Sequence, residues 1–205
     1  DPQTPSTLYA AISGSGVYKS VNGGGSWTAV NTNLSTYWAR AIAIDPQTPT
    51  TLYVAIEGTG IYKSTDGGGH WSPINTGLSR TLIHAIIVHP QTPSVLYAGA
   101  DYGDVFKSTN GGASWTRVKA GLLNSHIYAL AIDARTPSVV YIGGTGGVFK
   151  SLDEGATWLP VSAGLPSVGF VYGLAIDPQS PSTLYAACGG VHKTVNGGTL
   201  WQAAN

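Results

Sequence analysis

Apolar positions along the chain come in short runs that alternate in pairs, and glycine or proline closes each run. Near 39–44, 83–88, 127–132 and 171–176, one alternate position is small (Ala41, Ala85, Ala129, Gly173) and its neighbour is larger and apolar (Ile42, Ile86, Leu130, Leu174). A period of two predicts strands, and runs this short and rich in turn residues disfavour helices. A proline-rich turn such as Asp45-Pro46-Gln47-Thr48-Pro49 follows each run. Proline has no N–H for a central ladder, so this segment is a connection. A second strand is expected over 7–12 and its copies, a third over 16–20 and its copies, and a fourth beginning at each tryptophan of the series Trp27, Trp71, Trp115, Trp158 and Trp201. The four are labelled A to D in the order in which they occur within one unit.

The pattern repeats. Tyr9, Tyr53, Tyr97, Tyr141 and Tyr185 lie 44 residues apart, and the tryptophans follow at steps of 44, 44, 43 and 43. A period in the low forties built from short strands matches a four-stranded propeller blade. The expected architecture is all-β: one domain over 1–205, with five repeats at about 1–38, 39–82, 83–126, 127–170 and 171–205. The blades are expected to be four-stranded and antiparallel. Strands B, C and D occur five times but strand A only four, so the first blade is expected to lack its innermost strand. An exposed inner edge at 7–12 would need a partner. Self-association, or a gap beside the first blade, is the corresponding expectation.

Between strands C and D the chain reads Ser20, Asn22, Gly24, Trp27; then Ser64, Asp66, Gly68, Trp71; then Ser108, Asn110, Gly112, Trp115; then Ser151, Asp153, Gly155, Trp158; and last Thr194, Asn196, Gly198, Trp201. All five fit Ser/Thr-x-Asp/Asn-x-Gly-x-x-Trp. The chemistry of this segment is structural: the Asp or Asn oxygen caps its own turn, glycine takes backbone conformations closed to other residues, and the indole packs beneath the hairpin. Every one of these tryptophans is expected to be buried. Three of the five segments carry Asn, which supplies the acceptor without the charge, so no metal, cofactor or catalytic role is assigned to them.

These five segments resemble the Asp box, or BNR repeat, of a propeller family that includes sialidases, xyloglucanases and photosystem-assembly factors. The resemblance covers essentially the whole chain. It implies a ring commonly of six or seven blades, with the boxes and A–B turns on one face and the D–A and B–C loops on the other.

The second face is where the repeats differ. Its D–A loops carry Tyr37, Trp38 and Arg40, then Arg80 and His84, then His126 and Tyr128, then Phe170 and Tyr172; its B–C loops add Glu57, Asp101, Tyr102 and Asp104. Aromatic rings mixed with hydrogen-bonding groups suit a sugar-binding surface. The same residues also suffice to start strands and cover a channel mouth. The sialidase resemblance implies an arginine triad, but only Arg40, Arg80, Arg117 and Arg135 are present, and the last two are expected in a D strand and an A–B turn. A glycoside hydrolase needs two opposed carboxylates; Glu57, Asp101 and Asp104 lie on neighbouring blades. The histidines show no metal-ligand spacing.

Charge narrows the partners. Lys, Arg, Asp and Glu make up 10% of the chain, against roughly 25% in ordinary domains, and the formal net charge is zero. Neither a nucleic-acid footprint nor a basic membrane patch is expected. The repeated lysines Lys19, Lys63, Lys107, Lys150 and Lys193 are expected near the turn carboxylates as solvated pairs. One cysteine, Cys188, leaves the redox compartment open, with a secreted or periplasmic location as the working expectation. The absence of methionine suits a processed, engineered or partial chain. The near-identity of 1–8, 45–52 and 177–184 suits recent duplication or design. The expected function is a non-catalytic binding or scaffold propeller, with carbohydrate recognition the sharper form and glycan or protein as partner. The alternatives are a glycoside-hydrolase-related propeller, a protein-binding assembly factor, and a designed repeat protein with no natural ligand.

Overall fold

The structure is a computed structural model that describes residues 1–35, 38–119, 126–167 and 169–204. Tyr37 lies outside them. The chain is a β-propeller of five antiparallel sheets, one of three strands and four of four. The first sheet contains β1 (Leu8–Ile12), β2 (Gly16–Ser20) and β3 (Thr28–Ala29). The second runs β4 (Ala39–Ile44), β5 (Leu52–Ile56), β6 (Gly60–Ser64), β7 (Ser72–Pro73). The third runs β8 (Ile83–Val88), β9 (Leu96–Ala100), β10 (Asp104–Ser108), β11 (Thr116–Lys119). The fourth runs β12 (Ile127–Ile132), β13 (Val140–Gly144), β14 (Gly147–Ser151), β15 (Leu159–Pro160). The fifth runs β16 (Gly173–Ile176), β17 (Leu184–Ala187), β18 (Val191–Thr194), β19 (Gln202–Ala203). The expected three-stranded first blade is therefore present. The chain divides into two compact units, 1–98 with 106–116, and 99–105 with 117–204.

Three strand boundaries differ from the sequence reading, the first being strand B, which begins one residue later than expected, at Leu8 in the first sheet and Leu52 in the second. The last strand of each sheet begins one residue after its tryptophan, and it is only two residues long except in β11. It is an edge, and so it accommodates Pro73 opposite Tyr62 and Pro160 opposite Phe149. Strand β16 begins at Gly173, not at Val171.

The box works as a self-contained cap. In the second blade, Ser64 Oγ accepts from Gly68 N at 2.9 Å and donates to Asp66 Oδ1 at 2.8 Å, and that oxygen accepts from His70 N at 2.9 Å. Asn22, Asn110, Asp153 and Asn196 each accept the equivalent backbone N–H at 2.8–3.0 Å. Gly23 and Gly24 take φ of 70° and 94°, and Gly67 and Gly68 take 70° and 93°, a pair of left-handed conformations that only glycine adopts without strain. At the A–B turns, Asp45 Oδ1 accepts from Gln47 N and Thr48 N, and where the third repeat has histidine, His89 Nδ1 accepts from Gln91 N and Thr92 N instead.

Neighbouring blades are joined by a repeated set of bonds. In the first unit, Lys19 Nζ and Tyr9 Oη both donate to the Gly67 carbonyl, at 3.3 and 3.1 Å, while Trp71 Nε1 donates back to the Val30 carbonyl at 2.8 Å. The next pair of blades repeats this with Lys63 on Gly111 and Trp115 on Ile74. In the second unit Lys150 and Tyr141 bond Gly197, and Trp201 bonds Val161. Each lysine ammonium also lies 5.2–5.5 Å from the ring centroid of its blade's tyrosine. The lysines thus bind a ring and, where the bond is drawn above, the next box. For Lys19, Lys63 and Lys150 this corrects the expected pairing with turn carboxylates, whose oxygens cap their own turns.

The tryptophans are not uniformly buried. Trp71, Trp115 and Trp201 are, because each lies against the preceding blade and spends its N–H there. Trp27 is 42% exposed and bends back to its own Gly24 carbonyl. Trp158 is half-buried. Burial of the indole therefore comes from blade stacking and not from the box.

Candidate functional site

Most of the D–A candidates fall into two columns at the 44-residue period, with Leu82 completing the first; Arg80 and the B–C residues lie outside both. Trp38, Leu82, His126 and Phe170 form one; Arg40, His84, Tyr128 and Tyr172 form the other. Two members of the second column sit at β-bulges: the β4–β5 register slips between Ala39 and Ala41, and the β12–β13 register between Ile127 and Ala129. A bulge leaves one residue unpaired and re-aims its side chain. Arg40 and Tyr128 are those residues, each in the strand that begins its blade.

In the first unit, Arg40 forms a fork on one carboxylate oxygen of Glu57, with Nε at 2.9 Å and Nη2 at 2.5 Å. A D–A residue and a B–C residue are thereby locked together. Trp38 is 54% exposed, and its carbonyl accepts from Glu57 N. Arg80 and His84 belong to the same unit, Arg80 exposed before β8 and His84 half-buried on it.

The second unit brings together more of the expected residues. The ring of His126 stacks on Tyr128 at 5.9 Å and 18°, Tyr128 meets Tyr172 at 5.1 Å, and Tyr172 meets Phe170 at 5.9 Å. Tyr172 and Phe170 are 62% and 48% exposed. The result is a continuous strip of four rings drawn from the fourth and fifth blades. His126 Nδ1 lies 2.5 Å from Oδ1 of buried Asp101, which fixes one end of the strip. Asp101 opens a one-turn 3-10 helix, Asp101–Gly103, in which Tyr102 takes φ 60° and stands exposed. Left-handed backbone at a non-glycine residue is uncommon and is concentrated at functional positions.

Asp104 is buried and ion-paired with Arg117, whose Nε and Nη2 both approach Oδ1. Sequence reasoning placed Arg117 away from the variable face; its length carries it across from β11 to the start of β10. In the same unit, a concavity of about 230 Å³ is lined by Gly146, Gly147, Ser162, Pro166, Gly169 and Cys188. A side chain at Gly169 would collide with Cys188 Sγ, so the sulfur packs directly against that glycine, and burial raises the thiol's pKa.

Charge at the boxes is of another kind. Asp66 is held well below the usual carboxylate range, first by the His70 imidazole and then by the His70 backbone N–H. Asp153 is lowered to about 2 by the Thr157 hydroxyl and backbone N–H. Both carboxylates are committed to their turns. No helix among the described residues is long and apolar enough to cross a membrane.

Fold and boxes together define the class: an Asp-box-type β-propeller. No family model matches the chain, and no curated protein does. Among solved structures, it is similar to an ancestral GH74 enzyme at 25% identity and a TM-score of 0.83, covering 100% of this chain and 30% of that one. It is also similar to the GH74 xyloglucanase from Xanthomonas campestris, at 17% identity and a TM-score of 0.68, covering 98% and 44%. A third similar structure is YCF48 bound to D1 peptide, at 14% identity and a TM-score of 0.51, covering 97% and 78%. The chain spans less than half the length of the GH74 chains it matches.

Proposed function

We propose that this propeller is a non-catalytic carbohydrate-binding protein whose ligand lies along the ring strip His126–Tyr128–Tyr172–Phe170. The carrying observation is that strip: two of its rings are about half exposed, and one end is fixed by Asp101. Large planar apolar surfaces held at fixed spacing suit the flat apolar faces of pyranose rings, and polar edges such as the Tyr172 hydroxyl suit sugar hydroxyls. Similarity to GH74 structures agrees with a polysaccharide ligand.

Binding is favoured over hydrolysis by the state of the acids on this face. Glycoside hydrolysis needs one carboxylate available as acid and another as base or nucleophile. Here Glu57 is bound by Arg40, Asp104 by Arg117, and Asp101 by His126. A protein ligand is the second reading, favoured by the exposed apolar character of the same strip and by the similarity to YCF48 bound to D1 peptide.

Titration calorimetry against soluble β-glucan and xyloglucan oligosaccharides tests the proposal. Binding that falls about tenfold or more in Tyr172→Ala, with the melting temperature unchanged, is the expected result. Absence of binding to any member of a glycan array, or turnover of an aryl glycoside, defeats it.

A further inference from the structure

Three blade-to-blade junctions described above use one rule: a lysine on the trailing face, joined by its tyrosine at Gly67 and at Gly197, donates to the carbonyl of the first box glycine of the next blade, and the next blade's tryptophan grips back. A third bond sits at the A–B turn: Gln3 Nε2 reaches the Gln47 carbonyl, Gln47 Nε2 reaches Gln91, and Arg135 Nε reaches Pro178.

Both halves of this junction are also displayed on the surface. The fifth blade presents the trailing half. Lys193 is poised 5.5 Å over the Tyr185 ring, as in the used junctions, with Gln179 at the turn. Tyr185 is 38% and Val191 44% exposed. The carbonyl of Ala204 stands where Val30, Ile74 and Val161 accept from an indole; Ala204 N donates to Val191 just as Val30 N donates to Val17. The first blade presents the leading half. Gly23 and Gly24 have φ of 70° and 94°, matching the gripped pair Gly197 and Gly198 at 69° and 94°. A Cβ at Gly67 would meet Lys19 Nζ at 3.2 Å and Tyr9 Oη at 3.3 Å, whereas one at Gly23 would meet nothing within 4 Å, so the space for an incoming lysine and tyrosine is open. The Trp27 indole is half exposed beside it.

We propose that a second copy of this chain docks its first blade onto the fifth blade of the first copy. Lys193 Nζ and Tyr185 Oη donate to the Gly23 carbonyl of the incoming copy, Gln179 reaches its A–B turn, and its Trp27 turns from Gly24 to donate to the Ala204 carbonyl. The two surfaces differ, so the association is head-to-tail and not isologous. Polarity is complementary, because the cation on one side meets a carbonyl held in a left-handed turn on the other. Ala204 is smaller than Val30, Ile74 or Val161, so this junction packs less apolar surface than the internal ones and is reversible.

Sedimentation of the purified 205-residue chain over a concentration series tests it. The expected result is mass rising with concentration in wild type. Trp27→Ala, a disabled head, and Tyr185→Ala/Lys193→Glu, a disabled tail, should each stay at single-chain mass with association weakened about tenfold or more. An equimolar mixture of the two should form a dimer, because one retains its tail and the other its head. Should either variant fail to fold, Gly23→Asn at the head and Lys193→Gln at the tail carry the same comparison. Wild type at single-chain mass throughout, variants that associate as wild type does, or a mixture that stays at single-chain mass overturns the proposal.

Discussion

Strands β5 and β17 are copies of one repeat position, yet they are buried differently. In Leu52–Ile56 every side chain is buried; in Leu184–Ala187 burial alternates, with Leu184 and Ala186 inside and Tyr185 and Ala187 outside. The difference lies in the neighbours. Strand β5 has a blade on each face, so its alternation of residue types is hidden by double coverage. Strand β17 is covered on one face, and the period of two reappears as a period of exposure. The same sequence pattern therefore builds a core in one blade and a surface in another. The tryptophans show the same effect: Trp71 is closed over by the first blade, while Trp27 has its own glycine carbonyl for a partner.

The largest expected effect comes from truncating a tryptophan in a covered junction. Trp115→Ala should destabilise by about 3–5 kcal/mol, the range for large aromatic truncations in a core. Trp27→Ala should cost well under half of that. Urea melts of both variants decide it; equal losses would mean that the box itself, and not blade stacking, anchors the indole.

Ile56 and Ile12 hold the same repeat position at the end of strand B, the first fully buried and the second 44% exposed. Ile56→Ala should cost about 2–5 kcal/mol and Ile12→Ala under about 1 kcal/mol. Similar melting shifts for the pair would break the distinction between covered and open faces.

At the third A–B turn, His89→Asp should leave stability within about 0.5 kcal/mol, since a carboxylate oxygen caps the same two N–H groups at Asp45. His89→Ala should lose about 1 kcal/mol through the lost acceptor. Thermal melts at neutral pH separate the two.

The smallest effect is electrostatic. The folded-state pKa values of Asp66 and Asp153 lie below 3.8, the latter at about 2, so the stability they contribute is present above the unfolded value. It is lost as the pH falls from about 4 toward 2, where the carboxylates protonate. Asp66→Asn/Asp153→Asn should be nearly silent at neutral pH and should flatten the acid limb of a melting-temperature profile, because Asn fills the same role in the boxes of Asn22, Asn110 and Asn196. An unchanged acid limb would show that these carboxylates carry no pH-linked stability.

Much of the fold was legible because the repeat states it five times. Strands β4, β8 and β12 begin and end where the alternation of small and larger residues predicts them. The outer strands were not legible, since two residues on an edge leave no period to read. The two columns of the candidate site were present in the sequence at the 44-residue spacing, but only the bulges at Arg40 and Tyr128 reveal why those positions project differently from their neighbours. Likewise, Asp101 and His126 are separated by 25 residues with no spacing that signals a pair. Arg117 was placed by its strand, and its reach to Asp104 depends on a rotamer that no pattern encodes.

By itself, then, the sequence determined the strands, the turns that separate them and the caps that hold each box, because these depend on residues within a few positions of one another: Ser64, Asp66, Gly68 and His70 need no other blade. Only the tertiary structure decided which tryptophans are core, which lysines grip a neighbouring glycine, and which four rings of the variable loops form one strip. Those outcomes depend on partners 40 or more residues away, such as Lys19 with Gly67 at a separation of 48, or on loop residues aimed by bulges. A local pattern fixes a side chain's face; the blade beyond that face fixes what the side chain becomes.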